Sequence, residues 1–431
     1  MLGALLFLLY INDLEEGIKS SIKFFADDTS IFSIVHDPEI SAAELNHDLQ
    51  LINNWAHQWK MSFNPDPNKQ AVEVIFSQKR KSIYHPPIFF NNIEVKRVSE
   101  HKHLGLTLDS KLSFANHISD KIATARKGIG MIKHLSSYLP LKSRDQIFKM
   151  HVRSHLDYCD TIYHIPMQTR ETSDFDSTRS LNYPKSTQYQ PALAVSGAWK
   201  GSSRSKLYDE LAWETLHHRR SFTRLTQFYK IMTGLSPDYL RILIPAMRDH
   251  LFGHHFTNVL VNIFCRTDKF KNSFFPDSIS MWNELGPELR GAESLSIFKK
   301  KLLKIYRPLK KSLYNIHDQN CTKWIFQLRL GLSHKKSHHF IDTPDDTCNC
   351  KQHAETLEHF LLHCPFFIVQ RRELFLTFNP ILLENSMRFL DDTNLVNLLL
   401  YGNVKFDFYV NQSILKATIQ FIRSSFRFSP T

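Results

Sequence analysis

An α+β fold is predicted, from three observations. Runs rich in β-branched and aromatic residues, broken by polar turns, are concentrated in the first quarter of the chain. Beyond them, apolar residues recur at the spacing of one helix face. A chain with 33 Phe but only 13 Gly among 431 residues also favours helices over many tight hairpins.

The elements follow in order. Residues 1–11 are almost wholly apolar, but they lack a basic start and a small-residue cleavage site, and fall far short of the ~20 residues of a membrane span. A buried helix is expected there. From Ile22 to Ile34 the pattern is strand, acidic turn at Asp27-Asp28, strand. Asp37-Pro38 starts a helix, with Asp as N-cap and Pro in the first helical position. Leu45, Leu49, Ile52, Ala56 and Trp59 give that helix one apolar face. Asn64-Pro65-Asp66-Pro67-Asn68 is a turn cluster, followed by an expected strand over 71–76 and further β structure over 88–95 and 104–108. Ile118, Ile122, Ala125, Ile129 and Ile132 then repeat at helical spacing, with Lys121, Arg126, Lys127 and Lys133 between them. The stretch 167–205 is rich in Ser, Thr, Gln, Pro and Arg and has no sustained period, so it is expected to be a long loop or linker. Helices resume from Lys206 towards Ile244, where Pro245 ends them. A basic segment from Ser294 to Lys311 reads as helix as far as Tyr306, broken by Pro308.

With 54 Lys and Arg against 42 Asp and Glu the net charge is +12, which suits a polyanionic partner, because each phosphate neutralised releases condensed counterions. The six cysteines form no evenly spaced framework, which argues against a secreted disulfide scaffold. No run reaches membrane length, so an intracellular protein of the nucleus or cytoplasm, with no membrane partner, is expected. Near the C-terminus, Cys348-x-Cys350-x8-His359-x4-Cys364 offers three thiolates and an imidazole. These donors match tetrahedral Zn2+, and a set with no open position is structural. His353 and His363 are rival ligands, and buried, unligated cysteines are the alternative. Asp27-Asp28 taken alone is most often a polar turn. A hairpin tip is also a rigid mount for carboxylates that hold Mg2+, as nucleotidyl transfer by two metal ions requires.

The order of motifs decides between these readings. Residues 2–14 (LGALLFLLYINDL) resemble the end of a palm segment in the reverse transcriptases of jockey-like, LINE-type (non-LTR) retrotransposons. Phe25-Ala26-Asp27-Asp28 is similar to their Tyr/Phe-Ala-Asp-Asp box. Asn64-Pro65 with Lys69, and then a run ending Ile75-Phe76-Ser77, resembles the next motif. His103 to Asp109, with Leu112-Ser113-Phe114 and His117-Ile118, resembles the primer-grip segment and the approach to the thumb. Stretches around Ala192–Ala198, Lys206–Leu211, Phe228–Lys230, Pro237–Leu240 and Phe275–Asn283 are similar to the connector, and the Cys/His cluster to the C-terminal Cys-Cys-His-Cys motif.

The resemblance implies a truncated palm over 1–115, thumb-like helices over 116–166, the linker 167–205, a helical connector over 206–320 and a small zinc-binding C-terminal domain over 321–431. It implies RNA-directed DNA polymerase chemistry on an RNA template and a DNA primer or target, with dNTPs as substrates. Asp27 would be a Mg2+ ligand and Asp28 its acidic neighbour. Lys69 would donate a proton to the leaving pyrophosphate, a solvated turn lysine being the equal alternative. Cys348, Cys350, His359 and Cys364 would hold Zn2+. The family's other metal-binding Asp, its Gln-Gly element and its fingers have no counterpart here, and Ala4 stands where Pro is usual. A polymerase incomplete for catalysis alone is therefore expected, with a nucleic-acid-binding module or an inert degenerate product as the rival readings.

Overall fold

The computed structural model describes residues 2–63, 71–80, 83–136, 138–163, 186–198, 200–247, 258–306, 319–331, 347–384, 390–403 and 405–427. They fall into two compact units, Met1–His117 and Ile118–Thr431. Strands are numbered in chain order below, as are helices of eight residues or more.

In the first unit, helix α1 (Leu2–Tyr10) leads to the hairpin β1 (Ser21–Phe25) and β2 (Asp28–Phe32), then to α2 (Pro38–Gln58). The start of α2 follows the sequence: Asp37 accepts from the N–H groups of Glu39 and Ile40, and Pro38 fills the first turn. Ile52 of α2 packs with Leu14 and with Ile22 of β1, so the helix backs the hairpin. The opening helix forms where it is expected, but none of its residues is buried. Its tie is Tyr10, whose hydroxyl donates to the Trp59 carbonyl and whose ring meets Trp55 and Trp59 edge-on.

The remaining strands are short. β3 (Val72–Glu73) pairs in parallel with β6 (Lys96–Arg97), and β4 (Phe89–Phe90) with β5 (Ile93–Glu94). β7 (Glu100–His103) pairs with β8 (Leu106–Asp109). The strand expected over 104–108 thus starts only at Leu106: Leu104 and Gly105 take φ of 45° and 80°, the left-handed pair a two-residue hairpin turn needs. Asn91 and Asn92 do the same between β4 and β5. Among the described residues the β structure is four two-stranded sheets, not one continuous sheet. The coarse α+β reading stands, mostly helical.

The second unit is helical. Most of α3 (Ala115–Leu135) lies in it, and the five apolar positions expected on one face, Ile118, Ile122, Ala125, Ile129 and Ile132, are all buried. At Gly128 the helix meets the π-wound turn Lys149–Arg153 that follows α4 (Leu141–Phe148). A Cβ there would stand 2.7 Å from the His151 carbonyl oxygen. The expected linker is corrected in part. Residues 164–185 lie outside the described ones, but α5 (Ser186–Ser196) is a helix, and α6 (Arg204–Leu211) begins within the linker's last residues. Tyr189, Ala192, Leu193, Ala194 and Val195 are all buried, so α5 shows no polar face and no period, and Pro191 hides it further.

Helices α7 (Leu216–Met232), α8 (Phe274–Glu284) and α9 (Leu295–Tyr306) enclose a core of Leu225, Phe228, Tyr229, Ile279, Trp282, Phe298 and Leu302. Burial of each large apolar side chain there contributes about 1.5–3 kcal/mol. Helices α10 (Gln319–Arg329), α11 (Ile368–Glu384), α12 (Asp392–Tyr401) and α13 (Phe408–Ser424) complete the unit. No helix among the described residues is long and apolar enough to cross a membrane.

Four buried or half-buried arginines staple these helices. Arg219 pairs with Asp157, Arg224 with Asp277 at 2.8 Å, Arg329 with Glu210 at 3.1 Å, and Arg427 with Glu355. Arg329 also donates to the Leu400 carbonyl and lies over the Tyr401 ring. Removing one partner of such a pair strands a buried charge. Arg329→Met is expected to cost about 3–5 kcal/mol in denaturant unfolding of the full chain, and Glu210→Leu added to it should recover most of that loss.

Candidate functional site

Asp27 and Asp28 stand at the tip of the first hairpin. Phe25 pairs with Asp28, so the two-residue turn is Ala26-Asp27, one position earlier than expected, and Asp28 opens β2. Both carboxylates are exposed. Ala26 takes φ of 53°, a left-handed conformation that L residues other than Asn and Asp seldom adopt. A strained non-glycine turn carrying two adjacent acids is the kind of local conflict found at functional sites.

The hairpin is held from behind. The Asp48 carboxylate, on α2, is fully buried and accepts from the N–H groups of Lys19 and Ser20 at 3.1 and 2.8 Å, fixing the entry to β1. Burial pushes this carboxyl up, but the hydrogen bonds from Ser20, Lys19 and His47 together hold it below the ordinary carboxylate range. His101, on β7, is lowered by burial and then by His103, while the charge of Asp28 acts on it in the opposite sense. The β7–β8 hairpin is thus within electrostatic reach of the acidic tip. At its far end the Asp109 carboxylate accepts from the N–H groups of Lys111, Ser113 and Phe114, setting the path into α3. Lys69 lies outside the described residues.

The Cys/His cluster is tighter. A bridge between Thr347 and Ala354 closes a small hairpin, with Cys348 N–H donating to the His353 carbonyl. Lys351, at φ of 60°, turns the chain so that Cys348 and Cys350 both face inward. The expected helix after Glu355 winds into a π turn, His359–His363, closed by Cys364 N–H donating to the His359 carbonyl at 2.7 Å. This wide turn brings a His and a Cys five residues apart onto one side, which α-helical spacing would not do.

The result gathers the Sγ atoms of Cys348, Cys350 and Cys364 and a ring nitrogen of His359 within 4.8 Å of one another. Cys348 and Cys364 sulfurs lie 3.7 Å apart, and Cys350 Sγ lies 3.2 Å from His359 Nε2. A tetrahedron with Zn–S bonds of about 2.3 Å has S···S edges of about 3.8 Å, so the donors fit a metal of that size. Burial pushes the Cys364 thiol up to about 12, against a lowering hydrogen bond from Phe366 N–H. A thiol so placed needs a cation to become a thiolate. Of the rival ligands, His353 is not in the group. His363 is exposed, with Nε2 2.8 Å from Asp392 and 3.9 Å from Glu358, a second and solvent-facing set. Among the described residues, neither group of three or more potential ligands includes Asp27 or Asp28.

Comparison with known proteins assigns the kinship. The chain is 27% identical over 152 residues to the probable RNA-directed DNA polymerase from transposon X-element of Drosophila melanogaster, 34% of this chain and 16% of that protein. It is 27% identical over 99 residues to the RNA-directed DNA polymerase from mobile element jockey, and 26% over 151 residues to the probable RNA-directed DNA polymerase from transposon BS, both of the same fly. A third of this chain is similar to non-LTR retrotransposon polymerases. The jockey and BS matches cover 23% and 33% of this chain, and 10% and 16% of those proteins. No protein-family model matches the chain, and no solved structure does.

The π turn and the buried Asp48 clamp were missed from sequence. The His-x4-Cys spacing was a legible hint of the first, since it fits no single α-helical face. Asp48→Ala should lower protection of the β1 and β2 amides in hydrogen exchange of the full chain, by a local loss of about 1.5–3 kcal/mol. Because the folded carboxyl lies below its unfolded value, this contribution is present above the unfolded pKa and fades as pH falls through the folded one. The wild-type hairpin should therefore loosen only in acid below the ordinary carboxylate range.

Proposed function

We propose that this chain works on nucleic acid as a reverse-transcriptase-related protein of the non-LTR type, holding RNA and a DNA primer or target without polymerising by itself. The similarity to retrotransposon polymerases supports the origin, and one surface carries the binding. On α3, Arg126, Lys127, Lys133 and His134 are exposed and, at 3.6 residues per turn, fall within an arc of about 120° centred on Gly130. A Cβ at Gly130 would meet nothing within 4 Å, so the packing of this protein does not require glycine there. Glycine in an exposed helix interior costs about 1 kcal/mol relative to alanine. A basic face that is lowest at its centre lets a phosphate backbone approach closely. Lys299, Lys300 and Lys304 on α9 offer a second basic patch.

Asp27 and Asp28 supply part of a Mg2+ site. The described residues bring no third ligand to them, so no nucleotidyl-transfer step is assigned to this chain alone. Cys348, Cys350, His359 and Cys364 hold structural Zn2+, which ties the 347–354 hairpin to the helix that follows. An enclosed set of three sulfur donors and one nitrogen, with no open position, supports that role over a catalytic one.

Two measurements test this. In fluorescence anisotropy with single-stranded RNA, wild type should bind with steep salt dependence. The triple variant Arg126→Glu, Lys127→Glu, Lys133→Glu should reduce the log–log salt slope by about 2. An unchanged slope would remove α3 from the interface, and primer extension on RNA with Mg2+ that Asp27→Ala abolishes would overturn the non-polymerising reading. For the metal, one Zn2+ per chain is expected by mass spectrometry under native conditions. Chelation should then loosen residues 347–427 in hydrogen exchange while the first unit is unaffected.

A further inference from the structure

Three thiolates around a divalent cation carry a formal charge of −1, and this centre is largely enclosed: Cys348, His359 and Cys364 are 3%, 5% and 0% exposed, and Cys350 is half-buried. A buried net charge needs a partner. Two arginines converge on it, one from the helix that follows Cys364 and one from near the end of the described residues. Arg371, on α11, donates to the carbonyls of Leu361 and Cys364 at 2.9 Å, and to Phe360. It lies within electrostatic reach of Cys364. Arg427, just past α13, is paired with Glu355, and the two side chains are 8% and 2% exposed. The Arg427 guanidinium lies within electrostatic reach of both Cys348 and Cys350, and its buried Nε–H has no hydrogen-bond partner among the described residues.

From this arrangement we infer that Arg371 and Arg427 are positioning residues of the metal centre, the counter-charges that offset its net negative charge and couple metal loading to the docking of α11 and α13. The charges close: two arginines, Glu355 and the loaded metal centre sum to zero. Glu355 therefore aims Arg427 and also offsets part of its charge. A plain structural clamp between Glu355 and Arg427 would make the two residues equivalent, whereas a counter-charge makes them opposite. Phe360 on the π turn and Phe421 on α13, with ring centroids 5.4 Å apart, give the same coupling a packed path.

This inference rests on the structural-metal reading above. The test is Co2+ titration of the full chain, read by thiolate-to-metal absorbance, with Zn2+ competition. Arg427→Gln should weaken metal binding about tenfold or more, the usual cost of losing an outer partner of a metal ligand. Arg427→Lys should restore most of it. Glu355→Gln should leave affinity unchanged or tighten it, although it breaks the same ion pair. Equal weakening by Glu355→Gln and Arg427→Gln, or no change in either, overturns the inference. Should Arg427→Gln not fold, the other two variants decide: affinity lost in Arg427→Lys, or tenfold weakening in Glu355→Gln, overturns it equally. Wild-type protein that takes up neither Co2+ nor Zn2+ overturns the metal reading itself.

Discussion

A guanidinium removed from water must be met by a carboxylate or by carbonyl oxygens, and the helical unit is organised around that requirement. Arg224 is 1% exposed and answers to Asp277 and to the Ser273 carbonyl, joining α7 to the start of α8. Arg329 does the same between α10, Glu210 of α6 and the end of α12. Arg427 closes the C-terminal helix onto Glu355. Each pair spans tens of residues in sequence, so each can form only when the helices on both sides are in place. The apolar core around Trp282 and Phe298 supplies the bulk of the stabilisation, and the ion pairs select one arrangement of it.

The Cys/His cluster belongs to the same scheme. Its ligands come from a short hairpin and one π turn, so its geometry is nearly local. Its charge is not. Arg371 and Arg427 come from helices that must already be packed, and Phe360 meets Phe421 beside them. On the structural-metal reading proposed above, such a centre fastens the last eighty residues. Three sulfur donors and one nitrogen leave such a set no open position for chemistry.

The acidic hairpin has the opposite character. It is exposed, its turn is strained at Ala26, and its support comes from one buried carboxylate on α2 and a small cluster around Ile22 and Ile52. Such a tip is stiffly mounted and accessible. Two carboxylates there can bind a cation only with help, and among the described residues none gathers beside them. The basic face of α3 lies opposite the buried Ile118, Ile122, Ala125, Ile129 and Ile132, so the core does not use its charges.

Much of this was legible in the residues. The Asp37-Pro38 start of α2, the buried face of α3, the hairpin at Asp27-Asp28 and the Cys-x-Cys, His, Cys set are all local patterns, and local patterns follow from periodicity, capping and donor chemistry. What failed had a common cause. Helix α5 is buried or half-buried along its described side chains and therefore has no period to read; the apolar α1 was expected to be buried, but none of its residues is, its tie being Tyr10 against Trp55 and Trp59. The bend at Leu104-Gly105 was hidden inside a run of strand-forming residues. The sequence by itself determined the kinship, the acidic turn and the Cys/His set, because those depend on neighbours in the chain. Only the tertiary structure decided which histidine gathers with the cysteines, which carboxylate clamps the hairpin and which arginines lie beside the cluster, because burial and charge pairing are settled by neighbours in space.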